Sequence, residues 1–169
     1  MNEQNNIKLH QIAEVLRLER PNLLRYACYR LGDKSDAEDA LQDLFLKLYS
    51  RFSNDELQIQ NLKSYIFSSF SNLCTSRLSQ SSHLNTIPLD IRFDKADSTT
   101  NEYEDEYERI VILLKRIPEE QAEVIRLRIY GNNSFAEIAE MLSLPLPTVK
   151  SRFLYGLDKL RQLMKPTKQ

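Results

Sequence analysis

In the segment SFAEIAEMLSLPLPTVKSRFLYGLDKLRQLM, Ser134 to Met164, the residues Lys150, Ser151, Leu154 and Tyr155 share one outward face at helical spacing. A cation, a hydroxyl and two large side chains on such a face suit contact with nucleic acid, the cation meeting phosphate and the others reaching base edges and thymine methyls. The elements that must position them can be read from the same segment. Ser134 and Glu137 form an S-x-x-E capping box, and Phe135, Ile138, Ala139 and Leu142 follow as the apolar face of a first helix. Pro145 and Pro147 then break the chain. Val149, Phe153, Gly156 and Leu160 restart an apolar stripe, which gives the second helix a buried face of its own. The arrangement is a helix-turn-helix, whose second helix enters the major groove. From Met141 to the end, six bases (Lys150, Arg152, Lys159, Arg161, Lys165, Lys168) face one acid, Asp158. A plain helical hairpin with a solvated charged face is the alternative. The capping box, the turn, the small Gly156 and the basic skew together favour DNA.

With 169 residues the chain holds one medium domain or two small ones. Charged residues make up 28% of it, and no apolar run is long enough to span a bilayer, so it is expected to be soluble, without a membrane partner. The start, MNEQNNIKLHQ, lacks the basic and apolar regions of a secretory signal, which predicts a cytoplasmic location. Cys28 and Cys74 lie far apart, with His10 and His83 the only histidines, so no zinc spacing exists and both thiols are expected buried or half-buried. A net charge of −1 is low for a free DNA-binding protein and suits one held on DNA by a larger assembly. The sequence offers no nucleophile with a partnered base and no Gly-rich phosphate loop, so neither enzyme activity nor a cofactor is expected.

The fold is expected to be all-α: two small helical domains, residues 1–78 and 103–169, joined by an acidic flexible linker over 79–102. Ile12, Val15 and Leu16 predict a first helix, and Pro21 opens a second with Leu24, Ala27, Cys28 and Leu31 on one face and Gly32 at its end. Ser35 and Glu38 predict a capping box for a third, in which Ala37, Ala40, Leu41, Leu44, Phe45 and Leu48 turn inward. A fourth runs from about Leu62 to about Leu78, with Leu62, Ile66, Phe70 and Leu73 inward. From Ser79 to Glu108 eight acids face two bases, Arg92 and Lys95. Tyr103, Tyr107, Ile110, Val111 and Leu114 begin the second domain. Pro118 opens its next helix, and Gly131 is expected to close it in a left-handed turn.

EIAEMLSLPLPTVKSRF, preceded by IPEEQAEVIRLRIYGNNS, resembles the promoter-reading C-terminal domain of bacterial RNA polymerase sigma factors of the extracytoplasmic-function group. DAEDALQDLFLKLYSRF resembles the helix of that family's N-terminal domain that docks on the polymerase. With both motifs in order, the resemblance covers nearly the whole chain. It implies an alternative sigma factor that binds core RNA polymerase and directs initiation at specific promoter DNA. It also assigns roles. Asp39, Gln42, Asp43 and Leu46 fall on the surface that binds the polymerase clamp helices, and Leu46 is already the odd apolar member of a polar face. Lys63, Tyr65, Phe67, Ser68 and Asn72 fall in the segment that captures flipped bases of the melted promoter, where aromatic rings stack unpaired bases. Tyr65 stands where the family usually has tryptophan, and Asn72 matches its asparagine. For Phe67 a place in the core is at least as strong a reading. Lys150, Ser151, Arg152, Leu154 and Tyr155 fall on the helix that reads the upstream element.

The chain departs from the family where charge matters. Ser68, Ser71, Ser76, Ser79 and Gln80 stand where the family tends to place arginines and an aspartate, and each lost phosphate contact weakens binding to all sequences alike. Pro145 cannot offer the capping hydroxyl common at its position, and Tyr155 replaces a frequent arginine. Intrinsic promoter reading is therefore expected to be weakened, with recruitment helped by an additional DNA-targeting protein, an RNA-guided one included. Two other classes stay open: a sigma-like decoy that sequesters an anti-sigma factor, and a stand-alone helix-turn-helix regulator that binds palindromic sites as a dimer.

Overall fold

The computed structural model describes residues 3–54, 58–84 and 102–166. Among the described residues there are seven α-helices and one π-helical turn, and no strand. Helix α1 runs unbroken from Glu3 to Leu31, through Pro21, where two helices were expected. Pro21 removes the amide that would bond to the carbonyl of Arg17, a defect of about 3 kcal/mol in a helix interior. It lies on the exposed side, where water can reach that carbonyl. Ile12, Leu16, Leu23 and Tyr26 are buried along the inner side. At about 1.5–3 kcal/mol for each such apolar side chain, their burial outweighs the defect and keeps the two halves in line.

Gly32 ends α1 in the left-handed region, at φ 77°, its amide bonded to the Cys28 carbonyl at 2.9 Å. Asp33 then caps α2 (Lys34–Asn54) by accepting the Asp36 amide at 2.9 Å. The capping box expected of Ser35 and Glu38 is not made, because the carboxylate of Asp33 starts the helix earlier and also suits the positive end of its dipole. Asn61 caps α3 (Leu62–Leu84) through the Ser64 amide. The N-terminal domain therefore has three helices rather than four. Helix α3 also continues past Leu78 into the segment read as linker, and residues 85–101 of that segment lie outside the described residues.

The C-terminal group comprises α4 (Glu102–Lys115), α5 (Glu119–Ile125), α6 (Phe135–Leu142) and α7 (Leu146–Met164). Between α5 and α6 the chain widens into a π-helical turn, Arg126–Tyr130, closed by the Gly131 amide on the Arg126 carbonyl at 2.9 Å. Gly131 has φ −77°, so the expected left-handed closure is not there; Asn132 supplies it instead, at φ 56°. Glycine is needed at 131 for space, since a Cβ would sit 2.7 Å from the Leu127 carbonyl oxygen. The capping box of Ser134 and Glu137 forms as expected and starts α6.

The two groups of helices are pressed together. One apolar core runs from Leu16, Leu23, Leu41, Leu44, Ile66 and Phe70 into Val124, Leu127, Ile138, Met141 and Val149, and a smaller one gathers Leu114, Ile117, Ala122 and Ile125 beneath α7. Gly156 allows α7 to lie on α5, for a Cβ there would approach Ile125 Cδ1 to 2.7 Å.

Candidate polymerase and nucleic-acid surfaces

Helix α2 buries Ala37, Ala40, Leu41, Leu44 and Leu48, which forces the intervening residues outward. Asp39 and Gln42 are exposed, and Leu46 is 69% exposed. Asp43 is half-buried and ion-paired with Arg77 of α3. Tyr49, 61% exposed, lies one turn beyond Leu46 and extends the apolar part of this face. Its i, i+3 spacing from Leu46 was the signal that could have found it.

On α3 the five residues assigned to melted DNA separate. Tyr65 is half-buried, packed edge-on against Phe52, with the Arg51 guanidinium 5.8 Å from its ring centroid. It lines a cleft of about 280 Å³ between α2 and α3 together with Asn72, Lys47, Arg51, Ser69 and Ser76. The cleft unites an aromatic ring, an amide, hydroxyls and two cations, the groups that stack a base, read its edge and hold its phosphate. Lys47 and Arg51 come from the C-terminal half of α2, so α3 read by itself could not reveal them. Phe67, by contrast, is wholly buried in the core and is not available to stack a base in this arrangement. Ser68 is half-buried. Lys63 is turned to the C-terminal domain, its ammonium 3.1 Å from Glu137 of α6 and 3.7 Å from Glu19 of α1.

In the helix-turn-helix, Val149 and Gly156 are buried and Phe153 and Leu160 half-buried, as the stripe predicts. The outer face carries Lys150, Ser151, Leu154 and Tyr155, the last two each 65% exposed. Arg152 is tied to Glu120 of α5 at 3.2 Å. Pro145 stands at the N-cap of α7 without a side-chain cap, and Ser143 makes the turn in the left-handed region, at φ 53°.

Polar contacts between the two domains centre on Glu123. Its Oε1 accepts the Tyr26 hydroxyl of α1 at 2.6 Å and the Ser71 hydroxyl of α3 at 2.8 Å. Its Oε2 faces Arg126 at 3.4 Å and Arg30 at 3.5 Å, and Glu119 also pairs with both arginines. Burial, and then the neighbouring carboxylate, hold the Tyr26 phenol well above its ordinary range. Beside this hub Tyr29 stacks on Tyr130 and meets Tyr107 edge-on, and the Tyr107 hydroxyl donates to the Cys28 carbonyl at 2.7 Å. Desolvation raises both Tyr107 and Tyr130 to about 12. Cys74 is buried and likewise pushed up to about 12, and Cys28 is half-buried, which leaves both as inert thiols. Among the described residues no group of His, Cys, Asp and Glu could hold a metal ion, and no helix is long and apolar enough to cross a membrane.

Two groups of helices, the second closed by a helix-turn-helix with an exposed outer face, are built like a DNA-binding transcription protein. Comparison with known proteins agrees. Residues 15–83 match the Sigma-70 region 2 family and residues 113–162 match Sigma-70 region 4. The chain is 27% identical to the RNA polymerase sigma factor SigZ of Bacillus subtilis (strain 168), over 84% of this chain and 80% of that protein. It is 38% identical to the ECF RNA polymerase sigma factor RpoE of Cereibacter sphaeroides, over 42% of this chain and 38% of that one. Among solved structures, CnrH in complex with the cytosolic domain of CnrY overlays with a TM-score of 0.68 at 18% identity, covering 90% of this chain and 86% of that one. The sigma factor RpoE in complex with the anti-sigma factor NepR, from Bartonella quintana, gives 0.67 at 21%, covering 94% and 99%. The chain belongs to the sigma-70 family, and within it to the extracytoplasmic-function type. It is an alternative sigma factor for transcription initiation.

Proposed function

We propose that this sigma factor docks on core RNA polymerase in the cytoplasm through Asp39, Gln42, Asp43 and Leu46 of α2, receives an unpaired promoter base in the cleft of Tyr65 and Asn72, and reads the upstream element weakly. The observation that carries the last point is the loss of cations. Arg152 is paired with Glu120, and of the five α7 residues in the reading face only Lys150 is an uncommitted base. A bidentate arginine on guanine is worth about 1–3 kcal/mol of discrimination, which Tyr155 cannot reproduce. Recruitment to promoters therefore draws on an additional DNA-targeting protein. Purified chain should co-elute with bacterial core polymerase, and an Asp39→Arg, Leu46→Glu double variant should not. Efficient initiation at a defined promoter by polymerase and this chain alone would sink the need for a recruiter.

A second reading rests on the solved relatives, one of which is a sigma factor in complex with an anti-sigma factor. In that reading this chain also binds an anti-sigma factor, or serves as a decoy for one. Absence of co-elution, with the same polymerase shown to bind another sigma factor, would favour the decoy.

A further inference from the structure

The cleft between α2 and α3 offers some bases more than others. Its polar lining is Lys47, Arg51, Tyr65, Ser69, Asn72 and Ser76, over a floor of leucines, and among the described residues no carboxylate lines it. Lys47 and Arg51 can only donate, whereas the amide and the hydroxyls can donate or accept. Donors are therefore in excess, and a base with two adjacent acceptors suits the cleft best. On its major-groove edge guanine has them, O6 and N7. Adenine sets an acceptor beside a donor, cytosine presents the N4 amine, and thymine offers O4 beside a methyl group. The two cations also differ in kind. The ammonium of Lys47 is a compact point charge suited to phosphate, and the guanidinium of Arg51 is a planar fork that meets two acceptors at once. Both are exposed and stand one turn apart on α2. Arg51 is the one at the ring, its guanidinium 5.8 Å from the Tyr65 centroid, beside the place where a base would stack. Phe52, 3% exposed, packs edge-on against Tyr65 with centroids 5.9 Å apart, so the stacking ring is held in place before DNA arrives.

We infer that Arg51 sets base identity in this cleft and that the base is guanine, its O6 and N7 taken by the guanidinium while Tyr65 stacks the ring and Lys47 holds a flanking phosphate. The inference rests on the proposed role of the cleft in receiving an unpaired promoter base. Asn72, Ser69 and Ser76 supply the acceptors that the N–H groups of guanine need. The roles of the two cations separate by what each contact can discriminate. A phosphate contact strengthens binding to every base alike, and only the contact to the base edge carries identity. Both readers of the incoming strand thus belong to α2, the helix proposed to dock on the polymerase, while α3 supplies the ring and the amide.

The test uses the full chain, isotope-labelled and followed by NMR as it is titrated with short thymidylate single strands that carry dG, dA, dC or dT at the centre. Lys47 and Arg51 are exposed in the free chain, so the cleft can be probed without polymerase. Resonances of Tyr65 and Asn72 should move, and the dG strand should bind at least about 5-fold tighter than the other three, the lower end of what one bidentate contact is worth. 7-deaza-dG, which lacks the N7 acceptor, should lose most of that preference. Arg51→Lys keeps the charge and should abolish the preference with the salt slope unchanged. Lys47→Gln should weaken all four strands alike and lower the slope by about 0.7. Both positions are exposed, so both variants keep the fold. Equal binding of the four strands while the cleft resonances move, or a preference for dA or dC, overturns the inference and leaves the role of the cleft standing. A dG preference that survives Arg51→Lys or 7-deaza-dG overturns it as well. No movement of Tyr65 or Asn72 with any strand overturns the role of the cleft and the inference with it.

Discussion

Replacing Glu123 by alanine tests whether the polar hub, rather than apolar contact alone, holds the two domains together. Three losses follow from the geometry. Tyr26 is completely buried and would lose the carboxylate that accepts its hydroxyl, with only the Ser71 hydroxyl left beside it, at a cost of about 1–3 kcal/mol. Arg126, 1% exposed, would lose one of two carboxylates. Leaving a buried charge with no partner costs about 3–5 kcal/mol, but Glu119 remains at 2.7 Å, so only part of that applies. Ser71 can turn its hydroxyl elsewhere. The sum is about 3 kcal/mol, which for a chain of this size lowers the melting temperature by about 6–12 °C. Tyr26→Phe removes only the donor, and Glu123 keeps Ser71 and the arginines, so it should cost less, about 1.5 kcal/mol. Urea denaturation of both single variants and the double gives a coupling energy expected at about 1 kcal/mol or more, since each residue loses the same bond. A Glu123→Ala variant within 0.5 kcal/mol of wild type, or strictly additive single effects, would refute the reasoning and leave the shared apolar core as the sole cause of closure.

Three further outcomes are expected. Ser134→Ala removes the oxygen that accepts the Glu137 amide and should cost about 1 kcal/mol by denaturant midpoint, with Ser134→Gly nearer wild type. Phe67→Ala should destabilise the chain by about 3–5 kcal/mol, whereas Asn72→Ala, on an exposed position of the cleft, should stay within about 0.5 kcal/mol of wild type while lowering promoter melting in a permanganate footprint. Alkaline pH should loosen the molecule: Tyr107 and Tyr130 have folded values raised from 10 to about 12, so the native state binds more protons than the unfolded one. The stability they contribute is complete below pH 10 and is lost as pH rises toward 12. Denaturant midpoints measured from pH 9 upward should fall across that window, and a flat profile would remove the tyrosine cluster from the account.

The helix-turn-helix was legible residue by residue, because its signals are local. The capping box, the paired prolines and the stripe of Val149, Phe153, Gly156 and Leu160 act within a few turns of the chain, and the structure keeps each of them. The inward set of α2 was legible for the same reason. Errors arose where a distant contact overrides a local preference. Pro21 reads as a helix start, but core packing on either side carries α1 through it. Gly131 reads as a left-handed closure, but the crowding of Leu127 and Asn133 calls for glycine at ordinary φ, and Asn132 takes the turn.

By itself the sequence determined which residues form helices, which face of each is apolar and which family's motifs they carry, since these depend on periodicity and spacing along one chain. Tertiary structure decided the partners: that Lys47 and Arg51 join Tyr65 and Asn72 in one cleft, that Phe67 is core, and that Lys63 and Arg152 are already matched to carboxylates. Charge and exposure are properties of neighbourhoods, and neighbours far apart in sequence, such as Tyr26 and Glu123 or Lys63 and Glu137, are brought together only by burial of the core between them.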